Sequence, residues 1–153
     1  MIKAITPNLW FDGNAQEAVD FYVSVFPDSK IITTMNYPNS EEEGLADFQT
    51  DMAGKVLTID FELRGNRFLA INADSTFKFS EAVSFAVACE DQKEIDYYWE
   101  KLSADPEFEQ CGWLKDKYGL SWQIVPKNVD ELLKRPGAYA NMMKMKKLVI
   151  VDY

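Results

Sequence analysis

Apolar and polar positions alternate near the start of the chain. Ile5, Leu9 and Phe11 fall on one side, and Thr6, Asn8 and Trp10 on the other. A period of two predicts a strand with one face against a packed layer. Asp12-Gly13-Asn14 breaks the pattern, and Ala18, Phe21, Tyr22 and Val25 then recur at helical spacing until Pro27-Asp28 stops the run. Asn14 with Glu17 three residues on has the spacing of a capping box, which satisfies free N–H groups at a helix start from both sides. The same grammar returns later: an uncharged strand-like run at 83–89, Asp91 with Glu94, and an apolar face of Ile95, Tyr98, Trp99 and Leu102. Glu17 and Glu94, Phe21 and Tyr98, Tyr22 and Trp99, and Val25 and Leu102 are each 77 positions apart. Phe11 and Cys89 are 78 apart, so the first strand–helix loop is one residue longer. A matching strand, cap and helix face together predict an internal repeat.

After each helix the pattern reverts to strands. In the first half they are predicted at 30–37, 55–64 and 67–73, the last two joined through Gly65-Asn66, a good hairpin dipeptide. The acidic stretch 38–44 reads as an exposed loop. In the second half, strands at 107–115 and 120–125 flank the turn Asp116-Lys117-Tyr118-Gly119. Each half therefore reads β-α-β-β-β. Asn128 opens a helical stretch carrying Leu132 and Leu133, which Pro136-Gly137 interrupts. One domain over 1–153 is expected, with modules at about 1–80 and 81–127 and a C-terminal helical extension at 128–153.

Composition narrows the chemistry. With 47% hydrophobic and 27% charged residues the chain is globular. It has no histidine, which removes Ser-His-Asp and Cys-His activation and every His-ligated metal site. A formal charge of −9 without a basic stripe argues against nucleic acid. The Lys144, Lys146 and Lys147 cluster reads as cations favouring a helix end. Two cysteines, Cys89 and Cys111, make neither a disulfide framework nor a CxxC pair. With no secretion-signal pattern and no apolar run of the ~20 residues that span a bilayer, a soluble, cytoplasmic protein with no membrane partner is expected.

Three segments carry a family likeness: ITPNLWFDGN at 5–14, AVDFY at 18–22 and CGWLKDKYGLSWQIVP at 111–126. From about residue 3 to 147 the chain resembles the PhnB-like branch, often labelled 3-demethylubiquinone-9 3-methyltransferase, of the vicinal oxygen chelate superfamily (glyoxalase I, ring-cleaving dioxygenases, bleomycin resistance proteins). The resemblance implies an α+β fold in which two βαβββ modules form a cupped mixed β-sheet, usually around one divalent metal. The superfamily's histidine ligands would fall near Thr6 and at Ser84, its final glutamate at Gln123, and its remaining ligand at Ala70 or Asn72. Hydroxyls and amides suit zinc, nickel or iron poorly, so no metal and no cofactor is expected there. The methyltransferase label finds no support, because the seven glycines include no Gly-x-Gly.

The resemblance leaves a pocket without a metal. If Thr6 faces the cup, so do Asn8 and Trp10, with Ser84, Ala86 and Ala88 from the second module. An even turn after Lys115 sets Trp113 opposite Trp122; an odd one sets it on the face of Gln123. The superfamily pattern favours the odd turn, bringing Cys111, Trp113, Ser121 and Gln123 to the pocket. For the 55–73 hairpin neither face is chosen, so Asp60, Glu62, Phe68 and Asn72 stay unassigned. Asn8, Trp10, Ser84, Cys111, Trp113 and Gln123 are thus the candidate ligand-binding residues. Trp10 and Trp113 either wall a pocket or fill a core or dimer contact, whereas Trp122 reads as core.

Cys111 is the candidate nucleophile, with Lys115 on the same strand face to favour its thiolate; the other reading is an inert buried cysteine. Asp60 and Glu62 are candidate acids or bases. The leading expectation is a metal-free protein that binds a compact aromatic or amphipathic small molecule, as bleomycin resistance proteins do. The alternatives are a metal-independent lyase or isomerase and a regulatory module with a vestigial pocket. A homodimer is expected, by resemblance and from Met142, Met143 and Met145, which otherwise join the core.

Overall fold

The computed structural model describes residues 4–153. They divide into two compact units, one up to Lys78 and one from Phe79 to Tyr153. In the first, β1 (Asn8–Phe11) leads through α1 (Ala15–Val25) to β2 (Lys30–Asn36), β3 (Val56–Leu63) and β4 (Asn66–Asn72). The sheet order is β1-β4-β3-β2, with β1 parallel to β4 and the other pairs antiparallel. In the second, β5 (Ser84–Cys89) and α2 (Gln92–Leu102) precede β6 (Trp113–Lys115) and β7 (Ser121–Pro126), in the order β5-β7-β6. Here β5 runs parallel to β7 and β6 antiparallel to it. The class is therefore α+β with two mixed sheets, and the repeat is visible in α1 and α2, whose ends are each 77 residues apart.

Each helix covers one face of its own sheet. Ala15, Ala18, Val19, Tyr22 and Val25 of α1 are buried, as are Leu9, Phe11, Ile59, Phe61, Phe68 and Ala70 on the facing strands. In the second unit Ile95, Tyr98 and Leu102 meet the Val87, Leu114, Trp122 and Ile124 side. Fully burying one such side chain contributes about 1.5–3 kcal/mol, so these two layers are the main stabilising feature. Ile5 departs from the predicted alternation: it is exposed and lies outside β1, which starts only at Asn8.

The helix starts also differ. In α2 the Asp91 carboxylate accepts from the Glu94 N–H at 3.0 Å, and the Glu94 carboxylate accepts from the Glu90 N–H at 2.7 Å. In α1 the Asn14 side chain makes no such bond. The Ala15 N–H is instead satisfied at 3.1 Å by the buried amide oxygen of Asn72, so the cap comes from the neighbouring strand β4.

Two tight turns shift the predicted strands. Leu63 pairs with Asn66 across Arg64-Gly65, both with positive φ, as a two-residue hairpin of this twist requires. The turn therefore sits one residue earlier than Gly65-Asn66, and Asn66 spends its amide on the Leu63 and Arg64 carbonyls. The predicted strand at 107–115 is broken the same way, by Cys111 (φ 50°) and Gly112 (φ 85°). Gln110 and Trp113 bridge across that turn, leaving three strands and one bridge in the second unit. Pro106–Phe108 forms a 3-10 turn instead.

The C-terminal stretch forms α3 (Val129–Leu132) and α4 (Ala138–Met142), interrupted at Pro136-Gly137. Leu132, Ala138, Leu148 and Tyr153 make a second core, with Met142 and Met145 packed against it and Met143 exposed. Among the described residues no helix is long and apolar enough to cross a membrane.

Candidate functional site

The open face of the second sheet carries Ser84, Ala86 and Ala88 of β5, Gln123 of β7, and Trp113 of β6, while Val125 of β7 packs against the C-terminal core. Its geometry follows from the loop 116–120 between Lys115 and Ser121, which is odd in length and sets Trp113 directly opposite Gln123. Asp116 holds that loop. Its buried carboxylate accepts from the Tyr118 and Leu120 backbone N–H groups at 2.8 and 3.0 Å and from the Trp122 indole at 2.9 Å. Trp122 is thereby fixed on the helix side, in the core. On the open face the Gln123 amide donates to the Ser84 hydroxyl at 2.9 Å. Three predicted residues, Ser84, Trp113 and Gln123, are thus brought together, with alanines beside them that leave space.

Cys111 is placed elsewhere. Its positive φ ends the strand alternation that was to carry it to the face of Trp113. Its sulfur lies 3.7 Å from the Met143 sulfur and accepts from the Gln110 amide at 3.2 Å. Lys115 is not paired with it: the ammonium bonds Glu81, holding that carboxyl below its ordinary range, and stands 3.7 Å from the Phe108 ring centre. The structure therefore gives no support to a Lys115-assisted Cys111 nucleophile.

In the first unit the hairpin register settles what the sequence left open. Asn8 pairs with Leu69 and Trp10 with Ile71, while Thr58 and Asp60 sit across from Ile71 and Leu69. Asp60 and Glu62 therefore share the open face with Asn8 and Trp10, whereas Phe68, Ala70 and Asn72 turn toward α1. That corrects the assignment of a ligand position to Ala70 or Asn72. The Trp10 indole donates to the Asp74 carbonyl at 2.7 Å, and its ring meets Phe77 edge-on at 4.8 Å. Asp60 is held by both arms of the Arg67 guanidinium, whose hydrogen bonds lower its carboxyl pKa, so it is a weak base. Thr6 lies before β1 and outside the ladder.

A cleft of about 520 Å³, which the sequence did not suggest, opens at the start of α1 between Asn14, Glu17, Asn36, Lys55 and Asn72. The only sequence signal for it is Gly13-Asn14 at the helix entry.

A family model described as 3-demethylubiquinone-9 3-methyltransferase matches residues 3–125. The chain belongs to that family. It is similar to the PhnB protein from Bacillus cereus, whose solved structure is 34% identical, with 81% of this chain and 99% of that one covered at a TM-score of 0.63. A protein from Pseudomonas aeruginosa shares the fold at 17% identity and TM-score 0.61, over 82% of this chain and 98% of its own. So does the fosfomycin resistance protein FosX from Listeria monocytogenes, solved with Mn(II) and sulfate, at 15% identity and TM-score 0.55 over 89% and 99%. Among curated proteins, none matches. The family match and the likeness to PhnB bear out the PhnB-like resemblance, and FosX shares the glyoxalase and bleomycin-resistance-like fold.

The superfamily's divalent ion does not fit the residues this family member presents. At Ser84 and Gln123 it offers a hydroxyl and an amide that are already bonded to each other, with amide protons directed at the hydroxyl. Neither is a preferred ligand for zinc, nickel or iron. Among the described residues, no three His, Cys, Asp or Glu side chains gather where they could hold a metal ion.

Proposed function

We propose that this PhnB-like protein binds a compact aromatic or amphipathic small molecule on the open face of its second sheet, without a metal. The observation that carries the reading is the opposition of Trp113 and Gln123, with the Ser84–Gln123 hydrogen bond beside Ala86 and Ala88. An indole wall offers apolar area and a face for stacking, and an adjacent amide and hydroxyl can exchange their mutual bond for bonds to a ligand. Asn8 and Trp10 lie on the open face of the first sheet, as candidate ligand contacts of that unit by itself. The family's methyltransferase description is not carried over. Each strand–helix turn lacks the glycine pair that cradles a nucleotide-like cofactor, and each sheet has one parallel pair rather than a doubly wound parallel core.

The test is a tryptophan-fluorescence screen of small aromatic acids, amides and amphiphiles, followed by titration of any hit into Trp113→Phe and Gln123→Ala. Binding weakened at least about tenfold in both, the equivalent of about 1.4 kcal/mol, is the expected result. Hits that bind both variants as tightly as the parent would contradict the proposal. We further propose a cytoplasmic homodimer. Ile31, Ile32 and Met35 on β2, an edge strand whose residues are all exposed, support self-association, since an open apolar edge strand invites a partner. A mass by light scattering that stays monomeric at high concentration would exclude it.

A further inference from the structure

We propose that Lys115 makes the open face of the second sheet selective for small aromatic carboxylates. This rests on the ligand site proposed above and adds the charge its ligand must carry. The strand register puts the lysine there. Lys115 pairs with Ser121 two residues along β6 from Trp113, which pairs with Gln123, so Lys115 and Trp113 leave the sheet on the same face. Ser121 also pairs with Ser84, and the three residues form one row across β5, β7 and β6. With strands about 4.8 Å apart, Ser84 and Lys115 stand about 10 Å apart along that row, within the combined reach of a serine hydroxyl, a lysine stem and a bridging carboxylate.

The donors suit an anion. The Ser84 hydroxyl accepts from the Gln123 amide at 2.9 Å, which leaves its own proton to donate. The Lys115 side chain is only 18% exposed, and its nitrogen stands 3.7 Å from the centre of the Phe108 ring. A cation over an aromatic face is held in place without being neutralised, so its charge remains available to a ligand. Its carboxylate partner, Glu81, is 53% exposed and comes from a turn ahead of β5 rather than from the sheet. An ion pair with so exposed a partner adds little to stability, so a ligand carboxylate can take the place of Glu81.

The balance of charges selects the ligand class. Among the described residues of this face Lys115 is the one cation, and one ammonium with one hydroxyl matches a monoanion rather than a phosphate dianion. Trp113 in the neighbouring row and Phe108 beside the ammonium supply apolar surface for the ring that carries the carboxylate.

The test titrates benzoate and its uncharged counterpart benzamide into the full chain, reading affinity from the Trp113 indole signal by 1H–15N NMR. Benzoate should bind at least about tenfold tighter than benzamide. Lys115→Met should bring that ratio close to one with benzamide unchanged, and Glu81→Gln should tighten benzoate alone by about two- to fivefold. Lys117→Met removes the same charge from an exposed turn position and should leave the ratio intact. Equal affinity for the two probes in the parent, or a preference retained in Lys115→Met or lost equally in Lys117→Met, overturns the role of Lys115 while the open-face site stands. No tightening in Glu81→Gln overturns the exchange with Glu81. A Trp113 indole that neither probe moves overturns the open-face site, and this proposal with it.

Discussion

Asp116→Asn removes a negative charge and almost no volume, so it isolates what the buried carboxylate does. In the parent, one oxygen serves the Tyr118 and Leu120 N–H groups and the other serves the Trp122 indole. The best orientation of the amide keeps the two backbone bonds, now to a neutral acceptor, and turns its NH2 toward the indole N–H. Each retained bond falls from about 1.5–3 kcal/mol toward about 1 kcal/mol, and leaving the indole donor unsatisfied costs about 1–3 kcal/mol. The sum is a destabilisation of about 2–7 kcal/mol; the flipped amide would sacrifice two bonds to save one. Equilibrium urea unfolding followed by tryptophan fluorescence should show the midpoint falling by about 1 M or more, up to about 3.5 M at a slope of about 2 kcal/mol/M, with the slope unchanged. A double-mutant cycle with Trp122→Phe should give a coupling of about 1.5–3 kcal/mol. A cost below about 0.5 kcal/mol, or strict additivity in the cycle, would refute the role given to Asp116 in holding the β6–β7 register.

Asn72→Ala should cost about 1–3 kcal/mol in the same assay, because it strips the Ala15 N–H and the Val56 carbonyl of their shared partner beside the cleft. Gly112→Ala should cost about 2–4 kcal/mol, combining a positive φ with contact against Leu148 and the Ile124 carbonyl; a neutral result would mean the turn can relax. Asp60→Asn tests the ion pair with Arg67. The folded carboxyl titrates below its unfolded value, so its contribution is present above about pH 4 and lost as pH falls through the depressed pKa. The gap in Tm between parent and variant should therefore be largest near neutrality and close in acid; a gap that widens in acid would contradict the assigned cause.

The helices were legible because they are local. Phe21, Tyr22 and Val25, and their counterparts Tyr98, Trp99 and Leu102, lie at spacings that only a helix brings together. Strand faces were harder, since one residue in a turn reverses an entire strand. Five residues at 116–120 put Trp113 opposite Gln123, as the odd-turn reading had it. At the other hairpin the turn fell on Arg64-Gly65 rather than Gly65-Asn66, and the faces of Asp60 and Asn72 were undetermined until the register was known. Cys111 was misplaced because alternation was extended through a residue that adopts positive φ, a conformation cysteine seldom signals. The cap of α1 by Asn72 and the grip of Asp116 on Trp122 join distant or oppositely facing positions, and no local pattern announces them.

Two-dimensional 1H–15N NMR during a fragment titration reads directly whether the Trp113–Gln123 face receives a small molecule. The indole N–H signals of Trp113 and Trp122 provide a built-in contrast, since the second is locked on Asp116 on the opposite side of the sheet. The expected result is fragments that shift the Trp113 indole and the Gln123 side-chain amide while leaving the Trp122 indole in place. No binding by any fragment, or shifts confined to Trp122 or to the Asn14–Asn72 cleft, would contradict it.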